Sequence, residues 1–139
     1  MPMKFAVQTN GKGLYDITRD VAVAVQSLTK GDGLCTVFIQ HTSASLTIQE
    51  NADPTARRDL ESWLDRIAPE DDPSYTHTSE GPDDMPSHIR SMMTDVSLSI
   101  PVCGGALMLG AWQGIYLCEH RRAGHHRQLV VVVTRPVER

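Results

Sequence analysis

The chain has 139 residues, of which 40% are hydrophobic and 22% are charged, and its formal net charge is −4. This length and composition predict one soluble globular domain over residues 1–139, large enough to bury a core without disulfide bonds. The slight acidity argues against a nucleic-acid or anionic-membrane partner, which would need a concentrated basic face, and no apolar run approaches the roughly 20 residues that span a bilayer.

The first fifty residues predict three strands and one helix. Alternating apolar residues indicate an opening strand over residues 3–9. Thr18 can cap the helix that follows, because the apolar residues after it keep a helical spacing. A turn signal at residues 31–33 precedes two β-rich runs, over residues 34–40 and 44–49, which predict two further strands.

The helix that starts after Asp53 has the strongest local signal. Asp53 is a preferred N-cap residue, and Pro54 suits the first helical position. The helix is predicted to end before Pro69. Its apolar residues form one stripe that is expected to face the core: Ala56, Leu60, Trp63, Leu64 and Ile67.

A polar, acidic segment rich in Pro, Gly and Ser follows over residues 69–86 and predicts a long loop. Loops of this length in a compact domain are usually functional or disordered, and the His77 and carboxylates of this one favour function. A short helix is predicted after Pro86. Its inward-facing residues are expected to be Ile89, Met92 and Met93.

The last third predicts a meander of strands. Apolar residues alternate over residues 96–102, and strand signals recur at residues 106–109, 113–119 and 129–134. Helices confined to the first two thirds indicate an α+β fold, with two or three helices and a mainly antiparallel, sandwich-like sheet. The three cysteines, an odd set without paired spacing, predict buried thiols in a reducing cytoplasm.

Three histidines lie beside hydroxyl groups, carboxylates and turn residues rather than within apolar runs. His41 follows a predicted strand, His77 lies in the polar loop, and His88 lies near the start of the short helix. Neutral imidazole is the commonest protein ligand for transition metals, and three such ligands with an open position form a reactive site. Simpler interpretations stay open: a hydrogen-bonded strand end for His41 and a solvated loop residue for His77.

Two carboxylates are candidates for catalysis. Asp84 precedes His88 by four residues, a spacing that can bring both side chains onto one helix face. Asp84 could bind the metal, orient the ring of His88, or cap the helix. Glu119 stands in an otherwise apolar strand, where it either faces solvent through alternation or serves a pocket as acid, base or ligand.

Four further residues are candidates for binding a substrate. Ser43 follows His41, and Asn51 lies at a strand-to-helix junction. Gln113 could hydrogen-bond a heterocycle, and Arg127 is held by its strand where it could neutralise anionic charge. Arg121 and Arg122 are further candidates for neutralising anionic charge, although a solubilising hairpin turn is the favoured interpretation of both. The remaining histidines of the turn are given no native role: His120, His125 and His126.

Four blocks of sequence together resemble a known family. They are HTSASLTIQENADP at residues 41–54, YTHTSEGPDDMPSHI at 75–89, SLSIPV at 97–102 and LGAWQGIYLCEHR at 109–121. In this order they resemble the YjbQ-type family, whose members are often labelled secondary thiamine-phosphate synthases. The chain departs from the family's usual Gly-Thr-Trp-Gln at Ala111, where the lost hydroxyl could alter a pocket hydrogen bond.

The resemblance implies an α+β sandwich that forms a ring-shaped homotrimer with ligand sites near subunit boundaries. It implies condensation of a pyrimidine diphosphate with a thiazole phosphate, with release of pyrophosphate. It favours His41, His77 and His88 as metal ligands and Asp84 and Glu119 as catalytic residues. We expect a divalent metal, Zn²⁺ first, with Mg²⁺ as an option beside a diphosphate.

Two other functions stay open. One is metal-assisted hydrolysis of a small phosphate or acyl substrate by a bound hydroxide near Asp84 or Glu119. The other is a non-catalytic protein that binds a metal or a small phosphorylated or heterocyclic metabolite. Acid–base residues beside the histidines argue against the second, because simple binding does not need them.

Overall fold

The computed structural model describes residues 1–137, which form eight strands and three helices. The first half contains β1 (Met3–Gln8), β2 (Gly13–Asp16), α1 (Thr18–Leu28), β3 (Gly33–Ile39), β4 (Ala44–Glu50) and α2 (Pro54–Ile67). The second half contains α3 (Asp84–Met93), β5 (Ser97–Cys103), β6 (Ala106–Leu107), β7 (Gln113–Glu119) and β8 (His126–Thr134). No helix within residues 1–137 is long and apolar enough to cross a membrane.

The strands form two antiparallel sheets. The larger has the order β1-β8-β3-β5-β6 and the smaller has the order β2-β7-β4. Side chains from both sheets and from α1 share one buried hydrophobic cluster, which includes Val25, Val37, Leu117 and Val131. The α+β class and the antiparallel, sandwich-like sheet predicted from the sequence are thereby confirmed.

Strand β7 is buried on both of its faces, and this positions the end of the strand. Ile115 and Leu117 face the main core, whereas Tyr116 and Cys118 pack with Leu14 beneath α2. Alternate residues of a strand point to opposite faces, so covering both faces buries the side chains from Ile115 to Glu119. The charged residue at the end of the strand, Glu119, is therefore also buried, at 2% exposure.

The predicted N-cap of helix α2 is confirmed, but the predicted burial of its whole apolar stripe is wrong. The side chain of Asp53 accepts a hydrogen bond from the Thr55 amide at 2.9 Å, and the helix ends at Ile67. Leu64 is buried, whereas Trp63 is 43% exposed. The apolar stripe is thus wider than the surface that the small sheet can cover.

Helix α3 differs most from its prediction. It begins at Asp84, before Pro86, and the expected inward residues Met92 and Met93 are 88% and 53% exposed. The buried residues of the helix include the polar Ser87 and the charged Arg90. Helix α3 therefore turns a polar face inward, because it covers a network of ion pairs rather than the apolar core.

Three smaller expectations were also wrong. Strand β2 was missed because four residues are too few for a periodic signal. Strand β8 begins at His126, three residues before its predicted start, because the polar residues 126–128 pair with β1. Cys103 is exposed, whereas Cys35 and Cys118 are buried as expected.

Candidate metal centre

Two imidazoles and one carboxylate converge between the long loop and α3. Asp84 Oδ2 lies 2.6 Å from His77 Nε2 and 3.2 Å from His88 Nε2. One ligand atom from each residue lies within 4.8 Å of the other two. Nitrogen and carboxylate oxygen donors at this spacing fit a divalent transition metal such as Zn²⁺.

The local sequence explains how these three side chains meet. Asp84 and His88 lie one turn apart on α3, as their spacing predicted. The loop brings His77 to them through a bend at Gly81, whose φ of +105° is a conformation that favours glycine. Asp84 is buried, whereas the side chains of His77 and His88 are 45% and 33% exposed, so the cluster is accessible from the imidazole side.

Arg121 orients the carboxylate of this cluster. Its Nη1 donates to Asp84 Oδ1 at 2.7 Å, its Nε to Asp83 Oδ2 at 3.0 Å, and its Nη2 to the Glu80 carbonyl at 2.9 Å. Asp84 therefore presents Oδ2 to the imidazoles. The solubilising role expected of Arg121 was wrong, because its guanidinium is the main support of the cluster.

The surroundings of Asp84 keep it ionised. Burial raises the pKa of Asp84, but the hydrogen bond to His77 and the charges of His88 and Arg121 outweigh it, so the net pKa is lowered. The helix N-cap is Asp83, and its side chain makes no capping hydrogen bond. Of the roles left open for Asp84, capping is thus excluded, and contact with both imidazoles favours a metal ligand.

His41 does not join this cluster within one chain, which corrects the predicted three-histidine set. Its Nε2 accepts a hydrogen bond from the Gln128 amide at 2.8 Å, and its Nδ1 lies 3.4 Å from Arg127 Nη1. Burial and the charge of Arg127 lower the pKa of His41. One ring nitrogen of His41 thus accepts a hydrogen bond and the other faces a cation. The third residue beside His77 and His88 is Asp84.

Glu119 and Arg127, predicted as a catalytic acid or base and as an anion-binding residue, are paired with each other. Glu119 Oε1 accepts from Thr9 Oγ1 at 2.6 Å and from Arg127 Nε at 2.8 Å, and Oε2 pairs with Arg127 Nη2. Burial raises the pKa of Glu119, but these hydrogen bonds outweigh it and lower the pKa overall. Because the two side chains form an ion pair with each other, the arrangement favours a structural role for both over direct contact with a substrate.

The remaining predicted substrate residues do not share one site. Ser43 lies beside His41 at an open hollow, and its carbonyl accepts from Arg127. Asn51 donates to the Gln113 carbonyl, and the Gln113 side chain accepts from the Gly110 amide. These two residues lie at the far end of the β4–β7 pair from Ser43, seven to eight residues or about 25 Å away. Within one chain they brace a bend rather than line a shared pocket.

A buried hydrogen-bond chain was not anticipated from the sequence. His120 Nε2 lies 2.8 Å from Ser45 Oγ, which in turn contacts Thr94 Oγ1. His120 is 2% exposed, and burial, with the charge of Arg90, lowers its pKa to about 3. The continuous apolar run of β7, which is typical of a strand covered on both faces, could have indicated a buried His120 if the strand had been extended by one residue.

Comparisons with known proteins cover nearly the whole chain. The family model described as UPF0047 protein YjbQ-like matches residues 3–136. A UPF0047 protein of Synechocystis sp. is 48% identical over 128 residues, which cover 92% of this chain and 87% of the relative. The UPF0047 protein YjbQ of Escherichia coli O157:H7 is 41% identical over 128 residues, covering 91% and 92%.

Solved structures share the fold. The conserved hypothetical protein TT1486 of Thermus thermophilus is 34% identical and has a TM-score of 0.86, over 95% of this chain and 99% of that one. A structure from C. acetobutylicum is 31% identical and has a TM-score of 0.82, over 97% and 100%. The similarity therefore extends to the whole two-sheet architecture.

Proposed function

The chain belongs to the YjbQ family, UPF0047, and from that premise we propose that it is a cytoplasmic, metal-dependent enzyme acting on a small phosphorylated or heterocyclic metabolite. The activity we assign is of the thiamine-phosphate synthase type, in which a pyrimidine diphosphate is joined to a thiazole phosphate and pyrophosphate leaves. The observation that supports it is the convergence of His77, Asp84 and His88 at an accessible surface.

Each residue of the cluster has a distinct part in this proposal. His77, His88 and Asp84 would hold the cation, Zn²⁺ first by its donors, with Mg²⁺ as the option beside a diphosphate. When bound, the cation supplies positive charge that stabilises the departing pyrophosphate. Arg121 fixes the orientation of Asp84, and the exposed side of the two imidazoles leaves room for a substrate oxygen.

The outer face of the larger sheet supports the homotrimer that forms part of the proposal. Leu34 and Phe38 on β3 are 42% and 43% exposed, and Val130 lies opposite Phe38 on β8. An apolar strip on an uncovered sheet face is typical of an association surface. Phe38 and His41 line the same hollow, so association there would bring His41 to a subunit boundary.

The test is to measure metal content and turnover in the purified chain. The chain should contain stoichiometric metal and release pyrophosphate and thiamine phosphate from the two substrates. Asp84→Asn and His88→Ala should each weaken metal binding at least about tenfold and abolish turnover. His126→Ala is the matched control, because His126 is an exposed histidine outside the cluster. Full turnover in the two cluster variants would refute the proposal.

Metal-assisted hydrolysis is the second candidate, because the exposed side of His77 would admit a water molecule to the cation. It predicts metal-dependent release of phosphate or alcohol from model phosphoesters and esters, and no need for a thiazole phosphate. Tight metal binding with no turnover in either assay would instead favour a non-catalytic binding protein.

A further inference from the structure

A separate cavity lies beside a different face of α3 from the one that carries the metal-binding cluster. Its volume is about 340 Å³, within the size range of small-molecule sites, and it lies between α2, α3 and the β2–β7 pair. Arg90, which lines it, follows Asp84 by six residues, which places the two side chains about 120° apart around the helix axis. The cavity and the cluster therefore use different faces of one helix.

A buried histidine offers this cavity a hydrogen-bond acceptor. Thr94 Oγ1 donates its one hydrogen to the Arg90 carbonyl at 2.8 Å, so it must accept from Ser45 Oγ. Ser45 therefore accepts from His120 Nε2–H at 2.8 Å. Because burial keeps His120 neutral, with a pKa of about 3, its Nδ1 carries no hydrogen. Nδ1 makes no hydrogen bond within residues 1–137, and the ring lines the cavity.

Two cations share one exposed carboxylate at the same cavity. Arg90 is 3% exposed, and its Nη2 donates to the Ala68 carbonyl at 3.0 Å and lies 3.2 Å from Asp65 Oδ1. Lys12 Nζ lies 3.5 Å from the same oxygen and 3.3 Å from Glu70 Oε1. Arg90 Nε is buried without a partner in the described part of the chain. The guanidinium is thus under-satisfied, and a buried cation requires an anion beside it.

The side chain of Asp65 can move away from Lys12 and Arg90 and leave room for the anionic group of a ligand. Its side chain is 58% exposed, so it can rotate into solvent and be hydrated, whereas Arg90 cannot leave. The two other acidic residues at the cavity are already engaged. Glu119 is paired with Arg127, and Glu61 accepts from the Leu14 amide at 2.9 Å.

We propose that this cavity binds a small metabolite that carries a phosphate or carboxylate group together with a hydroxyl or amine donor. The anionic group replaces Asp65 between Lys12 and Arg90, and the donor hydrogen-bonds to His120 Nδ1. The site is distinct from the metal-binding cluster and does not depend on the activity proposed above. Leu14 and Leu64 provide an apolar wall for the carbon skeleton of the ligand.

The test is calorimetric titration of the full chain with glycerol 3-phosphate and with glycerate, which have hydroxyl donors but different anionic groups. Lys12→Ala should weaken binding about tenfold, because it removes a charged hydrogen bond. Asp65→Asn should strengthen binding about threefold, because it removes the competing carboxylate. Asp59→Asn, an exposed residue of the same helix, is the matched control. Methyl phosphate, which lacks a hydroxyl, should bind several-fold more weakly than glycerol 3-phosphate.

The outcomes separate this site from the proposed enzyme. Binding that persists in Asp84→Asn supports an independent cavity, and the preferred probe identifies the anionic group. No saturable binding of either probe in the millimolar range would overturn the proposal. Unchanged or weaker binding in Asp65→Asn would also overturn it. Equal affinity for methyl phosphate and glycerol 3-phosphate would contradict the proposed hydrogen bond to His120.

Discussion

At the scale of single residues, the buried His120 and Glu119 contribute to how the stability of the fold depends on pH. Burial lowers the pKa of His120 from 6.5 to about 3 in the folded chain. The unfolded chain therefore binds more protons between these values, and stability falls as the pH decreases from about 6.5 towards 3. The pKa of Glu119 is lowered too, so its contribution is present above the unfolded value of 4.5 and is lost as the pH falls through the lower folded pKa.

His120→Gln isolates the first of these contributions. Glutamine keeps an N–H donor for Ser45 but does not titrate. The free energy of unfolding of the wild type should decline by up to about 1.4 kcal/mol per pH unit below 6.5, and this decline should be much shallower in the variant. Denaturant unfolding at pH 7, 6, 5 and 4 provides the measurement. His126→Gln serves as the control, because His126 is exposed, and an unchanged slope in His120→Gln would contradict the assignment.

At the scale of elements, the turn between β7 and β8 anchors the loop that precedes α3. The Arg122 amide donates to Asp83 Oδ2 at 2.8 Å, and the Arg121 guanidinium contacts Asp83, Asp84 and the Glu80 carbonyl. The Arg122 side chain pairs with Glu70 but is 61% exposed, and exposed pairs contribute little. The position of the loop, and with it that of His77, therefore depends mainly on Arg121.

Arg121→Lys tests this anchor while it keeps the charge. Lysine cannot reach three acceptors at once, so we expect metal affinity to fall about 10- to 100-fold, as when outer-shell partners of metal ligands are removed. Amide hydrogen exchange across residues 76–83 should become faster. The matched control is Arg122→Lys, which should change both quantities little. Equal effects of the two substitutions would show that Arg121 has no special role.

At the scale of the whole molecule, we propose that the uncovered face of the larger sheet mediates association of the chain. Phe38→Glu places a charge within the apolar strip and should weaken the proposed trimer at least about tenfold. The fold should persist, because Phe38 is 43% exposed. Analytical ultracentrifugation measures the assembly state. Val23→Glu, at an exposed apolar position of α1, should leave it unchanged, and a Phe38→Glu trimer as stable as the wild type would exclude this face.

Local signals in the sequence were sufficient for most elements. The cap at Asp53, the strand alternation around Ile100 and the spacing of Asp84 and His88 act over a few residues, and each was read correctly. The inward face of α3 was predicted wrongly, because hydrophobic spacing cannot show that Arg90 and Ser87 are buried against other polar groups.

By itself the sequence determined the α+β class, the helix after Asp53 and the loop that carries His77. Only the tertiary structure decided that Asp84 rather than His41 meets His77 and His88, that Arg121 supports the carboxylate, and that His120 is buried. The physical reason is separation along the chain. Asp84 and Arg121 are 37 residues apart, and Ser45 and His120 are 75 apart. Contacts of that range depend on the pairing of β4 with β7 and on the packing of α3 against the turn after β7. No periodicity or capping signal within a few residues encodes either of them.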